Sequence, residues 1–252
     1  DTDALALHHE RLLETLGEED EEFLELYLSG QEPSVDDVRK AVRRVTLDLK
    51  LVPVLCGSAL KNVGVQPVMQ AVCDYLPSPV DVAQVRGLDP ETRARKSFPL
   101  DPAEPLSALV FKVAMDGGRK QAIMRLYSGT LEAGASVYNQ TQDADERAAR
   151  LFRLHAGRKE KLEQAKAGDI VAAAGMKHAR TGDTLCSRDA PILLESISGY
   201  KPVISLAIEP RNSEEADKLD EVLEKFLLED PTLSVVHDEE TGQVILSGMG
   251  EL

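Results

Sequence analysis

A chain of 252 residues, 42% of them apolar, is long enough for two or three domains and can fill their cores. Its three cysteines, Cys56, Cys73 and Cys186, show no CxxC spacing, which excludes a disulfide or zinc framework and suits small buried thiols in a reducing compartment. No run approaches the ~18 apolar residues of a membrane span, and the first residues are not a basic-then-apolar signal. A formal charge of −15 argues against a nucleic-acid binder in bulk, so any such contact has to be a local patch.

Taken in order, residues 3–16 predict a helix with Leu5, Leu12, Leu13 and Leu16 on one side. The acids Glu18 to Glu22 open a second helix ending near Leu28, where negative charge suits the helix dipole. They are read as a solvated face and not a metal site. Adjacent His8 and His9 point apart on a helix and cannot share a metal. Ser34 and Asp37 stand at capping-box spacing before the stripe Val35, Val38, Val42 and Val45 of a third helix. The compact apolar run from Leu47 to Cys56 predicts a strand buried on both faces. A small-residue loop follows, then a helix over residues 65–76 with Val68, Met69, Val72 and Tyr75 inward. Strand, loop and helix make one unit of a parallel α/β sheet, with the loop where such sheets bind ligands; a plain tight turn is the competing reading. Residues 77–105, dense in proline and charge, predict a surface linker.

From Leu106 to Leu193 the strand signals are short and cut by glycine, which predicts a small antiparallel barrel. Residues 147–155 alternate, with Arg150, Phe152 and Leu154 opposite Ala149, Leu151 and Arg153. Charge is uneven. Residues 1–50 hold fourteen acids against six bases and residues 201–252 thirteen against four, whereas residues 147–161 carry a local +5. Arg158, Lys159 and Lys161 fall in an expected loop free to reach phosphates, and a solvated surface balancing the acidic flanks is the alternative. After the barrel, a strand over residues 203–209 precedes a helix expected to be capped by Ser213 with Leu219, Val222, Leu223 and Phe226 on its stripe. A hairpin from Thr232 to Ser247 closes a β-α-β-β order, an incomplete ferredoxin-like sandwich. His155, His178 and His237 have no partner at ligand spacing, and the methionines suit core filling.

Several segments carry a resemblance. Residues 53–62 read Pro-Val-Leu-Cys-Gly-Ser-Ala-Leu-Lys-Asn, followed by Gly-Val-Gln-Pro at 64–67 and Asp-Tyr-Leu-Pro-Ser-Pro at 74–79. Tyr-Ser-Gly at 127–129, Ala-Gly-Asp-Ile at 167–170, Thr-Gly-Asp-Thr-Leu-Cys at 181–186, Glu-Asp-Pro-Thr at 229–232 and Ser-Gly-Met-Gly-Glu-Leu at 247–252 succeed them in order. The chain resembles translation elongation factor G over nearly its whole length.

That resemblance implies a multidomain α/β plus β-barrel plus α+β protein. Residues 1–80 would be the C-terminal part of a P-loop GTPase domain with a helical insert, and 81–105 a linker. Residues 106–195 would be the translation-factor antiparallel β-barrel, and 196–252 a partial ferredoxin-like sandwich. Ser58, Ala59 and Leu60 correspond to the last guanine-nucleotide motif, whose backbone meets the guanine carbonyl oxygen. The barrel would lie against small-subunit ribosomal RNA, and Arg158, Lys159 and Lys161 are the candidate RNA contacts. The final part would face the decoding region and a ribosomal protein. The implied function is GTP-dependent translocation of tRNA and messenger RNA in the cytoplasm, with GTP and Mg2+ as cofactors, the ribosome as partner and no membrane. The sequence lacks the phosphate loop, the Asp-x-x-Gly switch and Asn-Lys-x-Asp, so it is expected to be an internal piece that binds no nucleotide and is inactive alone. It also departs from the family after the first barrel strand, where Asp116-Gly-Gly-Arg-Lys-Gln121 replaces Asp-Pro, an aromatic and Val-Gly. A paralogue acting in recycling or ribosome protection, with altered GTPase activity, is the alternative.

Overall fold

Helix α1 (Thr2–Glu19), α2 (Glu21–Leu28), α3 (Val35–Leu47) and α4 (Val65–Tyr75) make up the regular structure of the first unit, Asp1–Asp81, in the computed structural model. The second unit is Val82–Leu252, and the residues described are 2–81, 84–195, 202–210, 212–238 and 242–250.

The first unit is held by Leu13, Leu16, Phe23, Ala41 and Val45. The capping box forms as expected: Ser34 Oγ accepts the Asp37 N–H at 3.3 Å and Asp37 Oδ2 accepts the Ser34 N–H at 3.0 Å. Leu5 and Leu12 are exposed, because the seam of α1 against α2 and α3 is wide enough only for Leu13 and Leu16. The acidic run is not wholly solvated either. Asp20 is buried, capping α2 through the Phe23 N–H at 2.8 Å and taking both ends of the Arg44 guanidinium at 2.6 and 3.0 Å.

The expected buried strand is absent: residues 51–57 have no regular secondary structure and join no ladder, with Val54 91% exposed. A strand requires a ladder partner, and residues 2–81 contain no other strand to supply one. For the same reason Val68, Met69 and Val72 on α4 face outward, with no layer opposite them in this unit. Cys56 and Cys73 lie on these bare segments and are exposed. Cys186 alone is buried, and burial raises its thiol pKa.

In the second unit the expected linker contains two strands, β1 (Gln84–Leu88) and β2 (Arg95–Pro99), separated by a turn that Asp89 organises. The barrel strands are β3 (Ser107–Asp116), β4 (Arg119–Ser128), β5 (Thr130–Glu132), β6 (Ser136–Asn139), β7 (Ala144–Arg147), β8 (Arg150–His155), β9 (Arg158–Leu162), β10 (Gln164–Lys166), β11 (Ile170–Ala174) and β12 (Thr184–Cys186). Eight of them form one antiparallel sheet in the order β7-β6-β12-β3-β4-β11-β8-β9, while β10 pairs with β5. Alternate residues of β3, β4, β8, β11 and β12 enter a single core together with Leu131 of β5 and Ala165 of β10, so the sheet must curl around it. Gly129, at φ +76°, makes the β4–β5 corner possible: a Cβ there would meet the Leu106 Cα at 2.6 Å.

Strand β13 (Leu193–Leu194) joins β1 and β2 in a three-stranded sheet, order β13-β1-β2. One face of that sheet packs through Val85, Ile192 and Leu194 onto Leu109, Tyr127 and Tyr138 of the barrel. The tail follows the expected order: β14 (Ile204–Ile208), α5 (Ser213–Glu229), β15 (Ser234–His237) and β16 (Val244–Gly248), with β16 between the other two strands. Asn212, not Ser213, caps α5, accepting the Glu215 N–H at 2.8 Å. The hairpin turn at 239–241 lies outside the described residues. Leu228 of α5 packs on the barrel core, and the Glu229 carboxylate accepts the Met115 N–H.

Candidate functional site

The loop from Cys56 to Gly64 is closed on itself. Ser58 and Val63 exchange both backbone hydrogen bonds, at 2.8 and 3.0 Å, and the Ser58 and Ala59 carbonyls accept the Lys61 and Asn62 N–H groups. This closure requires Gly57, where a Cβ would meet the Val63 carbonyl oxygen at 2.7 Å, and Gly64, at φ +79°. The N–H groups of Ala59 and Leu60 make no hydrogen bond among the described residues. They stand at the tip, with Leu60 98% exposed, beside a hollow of about 340 Å3 lined by Gly57, Ser58, Ala59, Val63, Val68 and Met69. Ser58, Ala59 and Leu60 are therefore brought together at one tip, with the Ala59 and Leu60 N–H groups as its open donors. Two free backbone donors beside an apolar hollow can meet an acceptor atom and cover an apolar surface. No phosphate-loop sequence is present, and no cluster of His, Cys, Asp or Glu among the described residues could hold a metal.

The basic run takes a different form from the expected loop. Arg158, Lys159 and Lys161 lie on β9, the outer strand of a hairpin with β8, and the turn is made by Ala156, at φ +51°, and Gly157. The register Phe152↔Lys161, Leu154↔Lys159 and His155↔Arg158 splits the set. Lys159 and Lys161 share a face with Arg150, Phe152 and Leu154, while Arg158 stands on the other face with Arg153 and Glu160. Lys159 forms an ion pair with Asp116, and Arg153 lies 3.6 Å from Glu160. Sequence reasoning missed how far this face extends. Pairing through β3, β4, β11, β8 and β9 puts Lys112, Ile123, Ala172, Phe152 and Lys161 in one cross-strand row, and the Arg150 guanidinium sits 5.9 Å from the Phe152 ring centroid. The alternation in residues 150–154 was the available signal.

A helical unit, an antiparallel barrel and a β-α-β-β segment on one chain define a multidomain protein. Residues 105–188 match the family model for elongation factor G domain 2, and residues 201–252 that for elongation factor G domain III. Elongation factor G 2 of Syntrophus aciditrophicus is 51% identical over 97% of the chain and 36% of its own length. Elongation factor G of Dehalococcoides mccartyi is 48% identical over 96% of the chain and 35% of its own length. A crystal structure of a Thermus thermophilus protein superposes with a TM-score of 0.75 at 28% identity, covering 96% of this chain and 34% of that one. The chain belongs to the elongation factor G family. It spans about a third of the length of the curated relatives it matches.

Proposed function

We propose that the chain is part of a ribosomal translocase, a GTPase that uses GTP hydrolysis to move tRNA and messenger RNA through the ribosome. The observation that carries this reading is the succession of two consecutive domain families of one factor, in order, in a chain about half identical to factors of that name. The bare apolar segments support it: Val54, Val68, Met69 and Val72 lie uncovered, as they would where a longer protein supplies another layer. The recycling or protection paralogue is not favoured by these relatives.

In this reading residues 1–80 complete a GTP-binding domain, and the free amides of Ala59 and Leu60 beside Ser58 receive the guanine carbonyl oxygen. GTP with Mg2+ would supply the phosphoryl chemistry, while this loop only orients the base. The barrel module takes in β1 and β2, so most of the expected linker 81–105 belongs to it. The face of β8 and β9 that carries Arg150, Phe152, Lys159 and Lys161 meets small-subunit ribosomal RNA, with Arg158 turned aside.

The test uses the full-length factor containing this chain. Ribosome-dependent GTP hydrolysis and movement of tRNA on programmed ribosomes are expected together, and hydrolysis without movement would refute the translocase assignment. For the RNA face, Lys159→Ala with Lys161→Ala should flatten the plot of log ribosome affinity against log salt by about 1.5, since each lost phosphate contact removes about 0.7–0.9. An unchanged slope would make these lysines a solvated edge.

A further inference from the structure

The small sheet β13-β1-β2 has a second face, turned away from the barrel. Register pairs Arg86 with Ser97 and Leu88 with both Arg95 and Leu193, so Arg86 and Arg95 are diagonal neighbours on that face. Neither arginine makes a hydrogen bond or an ion pair among the described residues. They line a hollow of about 530 Å3 together with Gln84, Ser97, Leu88 and Leu193. Lys96, also in the lining, is already committed: it pairs with Asp89 at 2.6 Å and donates to the Pro191 carbonyl at 2.9 Å. Glu195 is the one acid in the lining and forms no ion pair with either arginine. Like charges side by side on a sheet repel. In a chain with 44 acids against 29 bases, no carboxylate among the described residues takes either arginine, so both guanidinium forks are open to external anions.

We propose that this groove binds the phosphodiester backbone of an RNA strand, with Arg86 and Arg95 each gripping a phosphate. The guanidinium fork matches two oxygens of a phosphate, which the ammonium of lysine cannot do. Ser97 and Gln84 add neutral donors and acceptors at the spacing of the same face, suited to ribose hydroxyls, and Leu88 and Leu193 form a dry floor. An acidic peptide is the competing anion. It would seek the free edge of β2 for strand pairing, where Pro99 removes one of the donors such pairing needs.

The 252-residue chain is titrated with fluorescent oligouridylate of about a dozen nucleotides, read by anisotropy between about 50 and 200 mM salt. Arg86→Gln with Arg95→Gln is expected to weaken binding at least about tenfold at the lower salt and to flatten the salt slope by about 1.4, two phosphate contacts at about 0.7 each for a single strand. The same loss is expected in a chain already carrying Lys159→Gln and Lys161→Gln, which separates this groove from the hairpin face. Unchanged affinity and slope in the double variant, or binding of polyglutamate as tight as that of RNA, would overturn the proposal. If the glutamine variant melts early, hydrogen exchange of the unaltered chain decides: RNA should protect the β1 and β2 amides, and protection confined to other strands refutes the groove.

Discussion

Removing the carboxylate of Glu146 should loosen the whole barrel, although the residue touches none of the surfaces discussed above. Glu146 lies on β7, only 3% exposed, and accepts the N–H groups of Lys177, His178 and Ala179 at 2.7, 2.6 and 2.5 Å. These amides belong to the loop that joins β11 to β12, so one carboxylate fixes the path between two core strands. In Glu146→Ala the Ala179 N–H, on a fully buried residue, has no water to turn to and costs about 1–3 kcal/mol. Lys177 and His178 are exposed, so their amides can hydrate and lose only the net value of a charged acceptor, about 1.5 kcal/mol each. The expected loss is about 4–6 kcal/mol. Glu146→Gln keeps one oxygen but sets its NH2 against a backbone N–H, and should lose about half as much. Because the chain divides into two units, a single unfolding curve would mix them, and hydrogen exchange of the β11 amides isolates the barrel. A loss of about 4 kcal/mol speeds that exchange roughly a thousandfold. Exchange within about threefold of the unaltered chain in Glu146→Ala would show that the loop path is held by something else.

Three further outcomes follow from the same kind of reasoning. The Arg44 side chain, hydrogen-bonded to Asp20, holds that carboxyl below the usual carboxylate range, more than offsetting the opposing effect of burial, with the Phe23 N–H assisting. The folded pKa being depressed, the pair stabilises the helical unit above the ordinary carboxylate value and the contribution is lost as pH falls through the folded one; Arg44→Gln should therefore move acid unfolding of the helices to higher pH, followed by circular dichroism, and an unmoved midpoint refutes it. Gly129→Ala should cost about 2–4 kcal/mol, read by hydrogen exchange of the β11 amides, since φ is +76° and the new methyl would overlap backbone atoms of Leu106 and Glu104; a loss under about 1 kcal/mol would mean that the corner can shift. Amides of Ile204–Ile208, on an edge strand with mostly exposed side chains, should exchange faster than those of Ile170–Ala174, which pair on both sides, and equal protection would show that β14 has found another cover.

What could be read in advance divides by how local the cause is. The Ser34–Asp37 capping box and the glycine cuts between barrel strands, such as Gly129, are decided within a few residues, and both appear as the spacing predicts. Asp20 was hidden among four neighbouring acids because its burial depends on Arg44, which folding brings to it from another helix. The run from Leu47 to Cys56 was misread for a related reason. Apolar composition says that a segment is suited to burial, whereas a strand exists only where a second backbone can pair with it, and that information lies outside the segment.

Strand β9 is the most instructive miss, because there the sequence pattern could not have revealed it. Arg158-Lys-Glu-Lys-Leu162 has no apolar alternation, so the period-2 signal of a half-buried strand is absent. The pairing of β9 with β8 is real nonetheless, five residues long, and both outward faces of the outer strand meet solvent. An edge strand of the largest sheet presents a row of unpaired backbone groups, and charges, lysine above all, are what keep such an edge from pairing with another chain. The composition that disguised β9 as a loop is thus the composition an exposed edge requires. The consequence for function is geometric. In a loop, Arg158, Lys159 and Lys161 could all have turned to one partner. On a strand, alternation commits Lys159 and Lys161 to the face that carries Arg150 and Phe152, so a flat polyanion docked there can engage those two lysines and must leave Arg158 behind.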